Sequence, residues 1–383
     1  MKSNYKRLEP YIEFIDSRAI DHNSILDLDS IRGISSISKD FIKTRANLVG
    51  VVADKYKVVE SGFFAYNPNT ARMGDKIPIA LNLFNYPVLV SSIYPTFKIK
   101  DFNELHPEYL MMWFRRPEFD RYARFMSHGS AREVFDIEEM NEIKLPIPTI
   151  TKQREIVKEY NVIQNRIALN QQLIQKLEET AQVVYKKWFV EGIDLENLPE
   201  GWKVGTVSDL CEYSAKRVSI NEISLDNYIS TENMQQNRAG IVQAHSLPIN
   251  GSVTNFEVGN ILISNIRPYF KKIWLANFHG GCSNDVLCFT PRENVPPLYL
   301  YQILEKDNFF EYVMAGSKGT KMPRGDKKWI MNYETVIPKN ELLEKFSKTT
   351  HIFQKHIQLR KTENQKLMEL KDLLLSKLAT IEN

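Results

Sequence analysis

The strongest constraint on the fold of this chain is an internal repeat. A constant shift of 190 residues aligns the back part of the second half with that of the first, without a gap, from Pro107 of the first copy to about Ala379 of the second. The matched positions include Tyr109 and Tyr299, Phe119 and Phe309, Ser127 and Ser317, Gly129 and Gly319, and Ile147 and Ile337. One offset kept over this length predicts a duplicated structural unit.

The front parts of the two halves match less well. Phe97 corresponds to Phe289 at a shift of 192, and no residue pairing is assigned before it. A scaffold must keep one geometry, whereas the loops that it carries are free to vary and often hold the function. We therefore interpret the chain as a duplicated scaffold with variable inserts.

A long helix is predicted from 151 to 189, where the sequence has no Gly and no Pro. Its apolar residues are spaced alternately by four and three, which is a heptad seam. They are Ile156, Tyr160, Ile163, Ile167, Ile174, Leu177, Ala181, Val184 and Trp188. Asn170 is a polar position on the seam, and such a residue typically fixes the register of a coiled coil. Gly192 and Pro199 end the helix.

A second, less regular seam predicts another helix from about 341 to 381. Its apolar positions are Phe346, Phe353, Ile357, Leu367, Leu370, Leu374, Leu378 and Ile381. We expect the two helices to form an antiparallel pair. The alternative is that each packs on its own globular domain. At 1.5 Å per residue each helix is about 60 Å long, which favours a spacer over a core element.

The segments 1–150 and about 195–338 combine short β-rich runs with helical stretches. The runs are 87–93, 260–266 and 285–290, and the helical stretches are 108–125 and 298–315. This mixture predicts an α/β or α+β globular domain in each half. The boundaries that follow are 1–150, 151–192, 193–338 and 339–383.

Composition indicates a folded, soluble protein, because 43% of the residues are hydrophobic and 25% are charged. The net charge of +3 is only a weak indication of a nucleic-acid partner. Cys211, Cys282 and Cys288 form no CxxC pair, which favours a reducing compartment over a disulfide framework. The charged start of the chain has no signal-peptide pattern, and no apolar stretch has membrane-spanning length. We expect a cytoplasmic protein without a membrane partner.

Five short segments carry a resemblance to a known family. They are LPEGWK at 198–203, FAYNPNTARMG at 64–74, YISTENM at 228–234, GNILISNIRPYFKK at 259–272 and IPTITKQREI at 147–156. Together with the repeat and the two helices, they resemble the specificity subunit of type I restriction-modification systems over essentially the whole chain. The first domain departs from the pattern, since it begins YKRLEPYIEF and lacks the Gly-Trp of the second.

The resemblance implies an architecture and a set of partners. Segments 1–150 and 193–338 would be target-recognition domains, and 151–192 and 339–383 would be conserved spacer helices. The implied partners are double-stranded DNA, two methylation subunits and, in the full complex, restriction subunits. Adenine methylation and cleavage would belong to those partner subunits, which would also bind S-adenosylmethionine, ATP and Mg²⁺.

Candidate DNA-reading residues are those whose side chains suit bases or phosphates. In the first domain they are Tyr66, Asn67, Asn69, Thr70, Arg72, Ser91, Ser92, Tyr94, Ser127, Ser130 and Arg132. In the second domain they are Thr231, Asn233, Asn265, Arg267, Tyr269, Lys271, Lys272, Ser283, Asn284 and Asp285. The basic stretch 316–328 adds Ser317, Lys318, Thr320, Lys321, Arg324, Lys327 and Lys328.

Plain structural interpretations compete with these assignments. A basic run is usually a solvated loop, although this one repeats the 127–132 segment in register. Asn67-Pro68-Asn69 fits an ordinary Asn-Pro turn as well as a DNA contact. It also lacks the second proline and the aromatic residue that N6-adenine methyltransferases place at the flipped base.

No catalytic or cofactor motif is visible in the sequence. We find no glycine-rich cofactor loop, no phosphate-binding GxxxxGK[ST] motif and no defensible nuclease core. We therefore expect a DNA-recognition subunit with no catalytic residue, no metal site and no cofactor of its own. Two alternatives stay open at this point. One is a fused methyltransferase or nuclease with an unrecognised motif, and the other is an adaptor whose globular ends bind proteins.

Overall fold

The structure is a computed structural model that describes residues 5–22, 28–44, 46–70, 76–129 and 133–381. The chain divides into two compact units: unit 1 is Met1–Asn170 with Thr362–Asn383, and unit 2 is Gln171–Lys361. Each unit contains one globular α+β segment and part of both long helices. Within the described ranges, no helix is both long and apolar enough to cross a membrane.

In the described ranges, unit 1 begins with nine strands, followed by three short helices, a tenth strand and the first long helix. The strands are β1 (Tyr5–Arg7), β2 (Ile12–Ile15), β3 (Arg32–Ile34), β4 (Phe41–Lys43), β5 (Lys57–Val59), β6 (Phe64–Tyr66), β7 (Ile79–Leu81), β8 (Val88–Val90) and β9 (Thr96–Ile99). They are followed by α1 (Pro107–Phe114), α2 (Pro117–Phe125), α3 (Ile137–Asn141), β10 (Lys144–Pro146) and α4 (Ile150–Phe189). The sheets have the orders β2-β9-β6-β7, β5-β8, β3-β4 and β1-β10.

Unit 2 has a similar series of elements, but it lacks an equivalent of the β3-β4 pair and has a short α-helix where unit 1 has a 3₁₀ turn. They are β11 (Lys203–Thr206), α5 (Val207–Leu210), β12 (Cys211–Tyr213), β13 (Arg217–Ser219), β14 (Tyr228–Ile229), β15 (Ser252–Phe256), β16 (Ile261–Ser264), β17 (Ile273–Leu275), β18 (Gly280–Cys282) and β19 (Val286–Pro291). They continue with α6 (Pro297–Leu304), α7 (Asp307–Ala315), α8 (Lys327–Met331), β20 (Glu334–Ile337) and α9 (Asn340–Lys377). The sheets are β12-β19-β16-β17, β13-β15-β18-β14 and β11-β20.

The helical stretches predicted at 108–125 and 298–315 are each two helices instead of one. Pro117 occupies the first position of α2, and the residue before a proline is disfavoured in helical conformation. In the second unit α6 ends at Leu304 and α7 begins at Asp307. The break therefore recurs at the same place in both copies.

Strand pairing extends the repeat into the front parts, where the sequence shows no residue match. In unit 1 the pairs are Ile12–Ile99, Phe64–Phe97, Phe64–Leu81 and Lys57–Val90. Their counterparts in unit 2 are, in the same order, Cys211–Pro291, Ile261–Phe289, Ile261–Leu275 and Thr254–Cys282. The difference in residue number between equivalent positions thus falls from 199 at β2 to 197 at β6, 194 at β7 and 192 at β9, and it is 190 from Pro107 onward. Small differences in loop length at each step account for these changes.

The start of the first domain has the same fold as its counterpart although it lacks the Gly-Trp pair. β1 pairs with β10 as β11 pairs with β20. The residue after each strand makes the same backbone hydrogen bond, since Leu8 N donates to Ile143 O (2.8 Å) and Val207 N to Tyr333 O (3.0 Å). Backbone pairing, and not the side-chain motif, therefore defines this edge.

The two long helices form an antiparallel pair, as predicted, and α4 begins and ends within a residue of its expected bounds. In unit 1 the start of α4 shares a core with the end of α9, through Ile156, Tyr160 and Leu375. In unit 2 the end of α4 and the start of α9 meet, where Phe189 and Phe346 lie 5.1 Å apart between ring centroids.

The prediction that the helices are spacers and not core elements is wrong for their ends. Val157, Tyr185 and Phe189 lie off the regular seam, yet they are buried in the cores of the globular segments. Apolar residues beside the seam widen the apolar stripe, so each helix end can contact a partner helix and a sheet domain together.

Candidate nucleic-acid interface

The best-defined polar surface in each unit lies where the central strand of the main sheet ends. In unit 2 the segment after β16 bonds to two other loops: Asn265 N donates to Asp285 O (2.8 Å) and Arg267 N to Pro323 O (2.9 Å). Lys318 and Arg324 pair with each other across the third loop. We call 264–267, 283–285 and 317–326 the unit 2 loop cluster.

Unit 1 has the same backbone arrangement after β6. Thr70 N donates to Glu133 O (3.0 Å), and Val134 bridges both Asn69 and His128. Tyr66 N donates to Pro95 O (3.2 Å), which places the 91–94 segment beside the strand end. We call 67–70, 91–94, 127–129 and 133–136 the unit 1 loop cluster.

The two clusters share a frame but differ in side chains. The register places Thr70 where unit 2 has Arg267, His128 where it has Lys318, and Val134 where it has Arg324. An aspartate caps the following helix in both units, Asp136 for α3 and Asp326 for α8. At these three positions unit 2 is therefore the more cationic.

Ion pairs hold several side chains of the unit 2 loop cluster. Arg324 and Asp285 lie 3.2 Å apart, and Lys318 and Asp326 lie 2.9 Å apart. The hydrogen bond from Lys318 lowers the pKa of the Asp326 carboxyl, and the same contact raises the pKa of the Lys318 ammonium. Both partners are charged near neutral pH, so this exposed loop is held partly by electrostatics that salt would weaken.

A tight turn follows the cluster in unit 2. Pro268–Phe270 form one 3₁₀ turn, bounded by Arg267 and Lys271, which both have left-handed backbone conformation (φ 51° and 50°). Two further left-handed residues clamp it: Asn237 N donates to Phe270 O (2.9 Å) and Arg238 N to Lys271 O (3.0 Å).

Basic residues after the turn contact the protein itself. Lys271 Nζ lies 2.7 Å from an Asp307 carboxylate oxygen, which Arg238 also contacts. These two cations lower the pKa of Asp307 to about 2. Lys272 Nζ donates to Thr231 O (2.6 Å), and its pKa is lowered because it is partly desolvated. These predicted DNA contacts are thus engaged in holding the turn.

Two polar atoms of the unit 2 loop cluster are shielded from solvent and, within the described ranges, have no hydrogen-bond partner. They are Asn265 Oδ1 and Arg267 Nε. Unit 1 has a similar pair beside β6, Tyr66 Oη and Asn69 Oδ1. Burial raises the pKa of Tyr66, so its hydroxyl stays protonated. Unsatisfied buried groups are costly, and in native proteins they call for an explanation.

Three of the predicted DNA-reading residues are buried, namely Tyr66, which is 0% exposed, and the two that are described next. Thr70 is buried, and its backbone N and Oγ1 both donate to Glu133 O. Asn233 is buried, its Nδ2 donates to Tyr228 O and Val242 O, and its Oδ1 accepts from Ser230 N. Both polar side chains satisfy backbone groups inside the fold, so neither reaches a surface.

Several other predicted residues make local bonds while staying partly accessible. Asn67 Oδ1 accepts from Asn69 N (3.1 Å), which is the ordinary Asn-Pro turn left open above. Ser127 Oγ donates to Ala123 O, and Ser317 Oγ to Met314 O. Arg72, Ser130 and Arg132 lie outside the described residues.

The remaining candidates are exposed or half-buried. Ser91 and Ser283 are half-buried, as is Tyr94, whose pKa is raised by burial, and Ser92 is exposed. Tyr269 packs its ring against Phe270 with 4.7 Å between centroids. Thr320, Lys321, Lys327, Lys328 and Asn284 are exposed.

Sequence reasoning missed Arg217 as part of this surface. Its Nη1 donates to Asn284 Oδ1 (3.2 Å), so it positions a side chain of the unit 2 loop cluster. The strand register matches Arg217 with Arg18 of unit 1, since Arg18 bridges Lys57 where Arg217 pairs with Thr254. The presence of arginine at both equivalent positions would have pointed to Arg217 if the alignment of the front parts had been known.

The helix pair carries a second candidate surface. Arg166 of α4 contacts Glu363 of α9 (2.7 Å), and on the other flank Lys361 lies 4.0 Å from Glu178. These contacts identify the two sides of an antiparallel coiled coil. Within each unit, heptad positions place nearly all exposed apolar residues of the pair on one side, which is the Arg166 side in unit 1 and the side opposite Lys361 in unit 2. In unit 1 they are Val162, Leu169, Leu370 and Leu373, and in unit 2 they are Leu173, Val183, Ile352 and Leu359.

These two sets, the unit 1 patch and the unit 2 patch, are related by the repeat. Val162 and Ile352, Leu169 and Leu359, and Val183 and Leu373 are equivalent at the shift of 190. The other side of the pair is mostly polar, with Gln171, Gln354 and Lys361 exposed or half-buried. Clustered exposed apolar residues mark interaction sites.

In the part of the chain that the structure describes, no group of three or more His, Cys, Asp or Glu side chains is arranged to hold a metal ion. Cys211, Cys282 and Cys288 are free and buried.

Comparisons with known proteins agree with this architecture. Residues 78–179 match the family described as the type I restriction modification DNA specificity domain. The specificity subunit of the type I restriction enzyme MjaIX of Methanocaldococcus jannaschii is 21% identical over 71% of this chain and 68% of that protein. The specificity subunit of the HindI enzyme of Haemophilus influenzae is 23% identical over 46% of this chain and 38% of its own length.

A solved structure shares the fold over nearly the whole chain. It is the S subunit of a type I restriction-modification system from M. genitalium, with a TM-score of 0.58, 14% identity and coverage of 99% of this chain and 96% of that one. The matched domain, the curated relatives, the duplicated α+β units and the antiparallel helix pair all agree. These comparisons indicate that the chain resembles specificity subunits of type I restriction-modification systems.

Proposed function

We propose that this chain is the DNA-sequence-reading subunit of a type I restriction-modification complex. It reads a bipartite target on double-stranded DNA and directs adenine methylation and restriction that partner subunits carry out. Each globular segment, 1–150 and 193–338, acts as a target-recognition domain for one half of the target. The helical segments 151–192 and 339–383 connect the two.

One observation carries this proposal: a common backbone frame presents different side chains at equivalent positions. Arg267, Lys318 and Arg324 in unit 2 correspond to Thr70, His128 and Val134 in unit 1. A fixed frame docks on the uniform phosphate backbone, while exchanged side chains read different bases. Two modules of this kind suit a target with two different halves.

The helix pair provides a place for the methylation subunits. Three of the four apolar residues in the unit 1 patch have an equivalent in the unit 2 patch, so each patch offers a similar surface to a copy of one partner. Val162 and Ile352 are 61% and 57% exposed, and Leu169 and Leu359 are 60% and 54% exposed. Two repeat-related patches support two methylation subunits for each chain, and restriction subunits join this assembly.

We assign no catalytic residue to this chain. S-adenosylmethionine, ATP and Mg²⁺ bind the partner subunits, where methyl transfer and DNA cleavage take place. The three free, buried cysteines support a reducing compartment, and we infer that the complex works in the cytoplasm.

Long-read mapping of methylated adenines tests the proposal. The chain is expressed with its methylation subunits in a host that lacks other adenine methylation. We expect one methylated motif with two specified parts separated by unspecified bases. A continuous motif, or methylation by this chain without partner subunits, would contradict the proposal.

A further inference from the structure

The turn at Arg267 is the most strained part of the described chain. Five residues other than glycine have positive φ, and four of them are Asn237, Arg238, Arg267 and Lys271. Left-handed backbone costs such residues free energy and persists only where the surroundings enforce it. Here the backbone bonds from Asn237 to Phe270 and from Arg238 to Lys271 enforce it. The position of Arg267 is therefore fixed before any partner binds.

The Arg267 side chain differs from three of the cations around it. Lys271 contacts Asp307, Lys318 contacts Asp326, and Arg324 contacts Asp285. Within the described ranges, the guanidinium of Arg267 makes no hydrogen bond or ion pair, and its Nε is shielded from solvent. The carboxylates of Asp307, Asp326 and Asp285 are thus paired with other cations.

Asn265 adds a second unsatisfied group in the same cluster. Its Oδ1 is buried without a partner, two residues before Arg267. A Cβ on Gly325 would lie 2.9 Å from this oxygen. A glycine at this position therefore allows the 317–326 loop to lie close to Asn265. The loop cluster is therefore a compact frame around a rigid, half-buried arginine.

We propose that Arg267 is a specificity-determining residue that reads a guanine in the half-site of unit 2. This inference rests on the proposed function. A fixed guanidinium with free Nη donors matches the O6 and N7 acceptors that guanine presents in the major groove. Arginine is preferred over lysine for such two-point contacts because its donors form a planar fork. Unit 1 has the buried Thr70 at this position, so its half-site is read without this contact.

The test compares the wild-type chain with Arg267→Asn, each assembled with its methylation subunits. Asparagine tolerates left-handed backbone, so the turn is kept while the fork is lost. Wild type should lose about 5- to 150-fold in affinity when one G·C pair of the unit 2 half-site is replaced. Arg267→Asn should lose the preference for guanine at that position, in binding and in the methylation map, and keep the other half-site unchanged.

Two controls separate the possible failures. Lys321→Ala, in the same cluster, should lower the affinity for all duplexes alike and leave the motif unaltered. A wild-type complex without a bipartite motif would overturn the proposed function itself. A bipartite wild-type motif that is identical in Arg267→Asn, or a change at a position other than guanine, would overturn the role of Arg267 alone. Arg267→Ala provides a second variant, and it should show the same loss of guanine preference.

Discussion

Asn170 Nδ2 of α4 donates to Asn364 Oδ1 of α9 at 2.9 Å, in the seam of the helix pair. Both residues belong to unit 1. Asn170 is 3% exposed and Asn364 is half-buried, so the bond is partly shielded from water. A bonded polar pair in the seam favours one register of the two helices, because a slip would separate the two amides and break their hydrogen bond.

The first prediction follows from this pair. Asn170→Leu leaves the Asn364 amide without its partner, and we expect a loss of about 1–3 kcal/mol in the free energy of unfolding. The double variant Asn170→Leu with Asn364→Leu should regain most of that loss, because two apolar residues can replace a bonded pair at little cost. Urea unfolding of both variants measures this. Equal losses in the single and double variants would show that the bond is not what matters.

The second prediction concerns pH and Glu305. Burial raises the pKa of this carboxyl from 4.5 to about 7, although Arg238, Tyr301 and Lys306 act in the opposite direction. Between these values the folded chain holds a proton that the unfolded chain releases. The contribution of protonated Glu305 to folding stability is therefore fully present below pH 4.5 and is lost as the pH rises through 7.

Glu305→Gln should remove this dependence. One pKa unit corresponds to about 1.4 kcal/mol. The free energy of unfolding of the variant, relative to that of wild type, should therefore rise by on the order of 3 kcal/mol as the pH increases from 4.5 to 7. Urea unfolding at a series of pH values gives the difference. A stability difference that does not change with pH would refute the assignment.

The third prediction concerns the apolar patches of the helix pair. Leu169→Glu and Leu359→Glu change equivalent exposed positions, so each should cost little folding stability but place a charge where a partner is desolvated. Each single variant should bind one methylation subunit where wild type binds two, and the double variant should bind none. Native mass spectrometry counts the subunits. Gln171→Glu, on the other side of the pair, is the control and should still bind two.

The fourth prediction concerns phosphate contacts. Lys321→Ala should weaken binding to cognate and non-cognate duplexes by the same factor. The slope of log affinity against log salt should fall in magnitude by about 0.9 for the lost contact. Lys348→Ala, on the outer face of α9, should leave the slope unchanged. An effect of Lys321→Ala on the cognate duplex only would instead mean that this lysine reads a base.

Sequence reasoning predicted the helices and the back part of the repeat well, for physical reasons. The seam from Ile156 to Trp188 has a period that few other structures produce, and the helix was placed within a residue. The repeat from Pro107 onward has equal loop lengths in both copies, so its register is visible without a structure. Before Phe97 the loops differ by a few residues at each step, and only strand pairing reveals the common frame.

The candidate site was predicted less completely. Thr70 and Asn233 have the residue types of DNA readers, but their side chains satisfy buried backbone groups. Residue type alone does not tell which groups a fold leaves unsatisfied. Arg217 was missed because its role depends on a neighbour 67 residues later, Asn284. The left-handed backbone at Arg267 also has no sequence signal, since it is imposed by the segment around Asn237.

The central claim is that each globular segment reads one half of a bipartite DNA target. The most direct test replaces 1–150 with the corresponding segment of a related chain that keeps the core contacts to Ile156 and Leu375. Long-read sequencing then maps methylated adenines after expression with the methylation subunits. We predict that one half of the motif changes while the other half stays the same. A change in both halves, or in neither, would contradict the modular account.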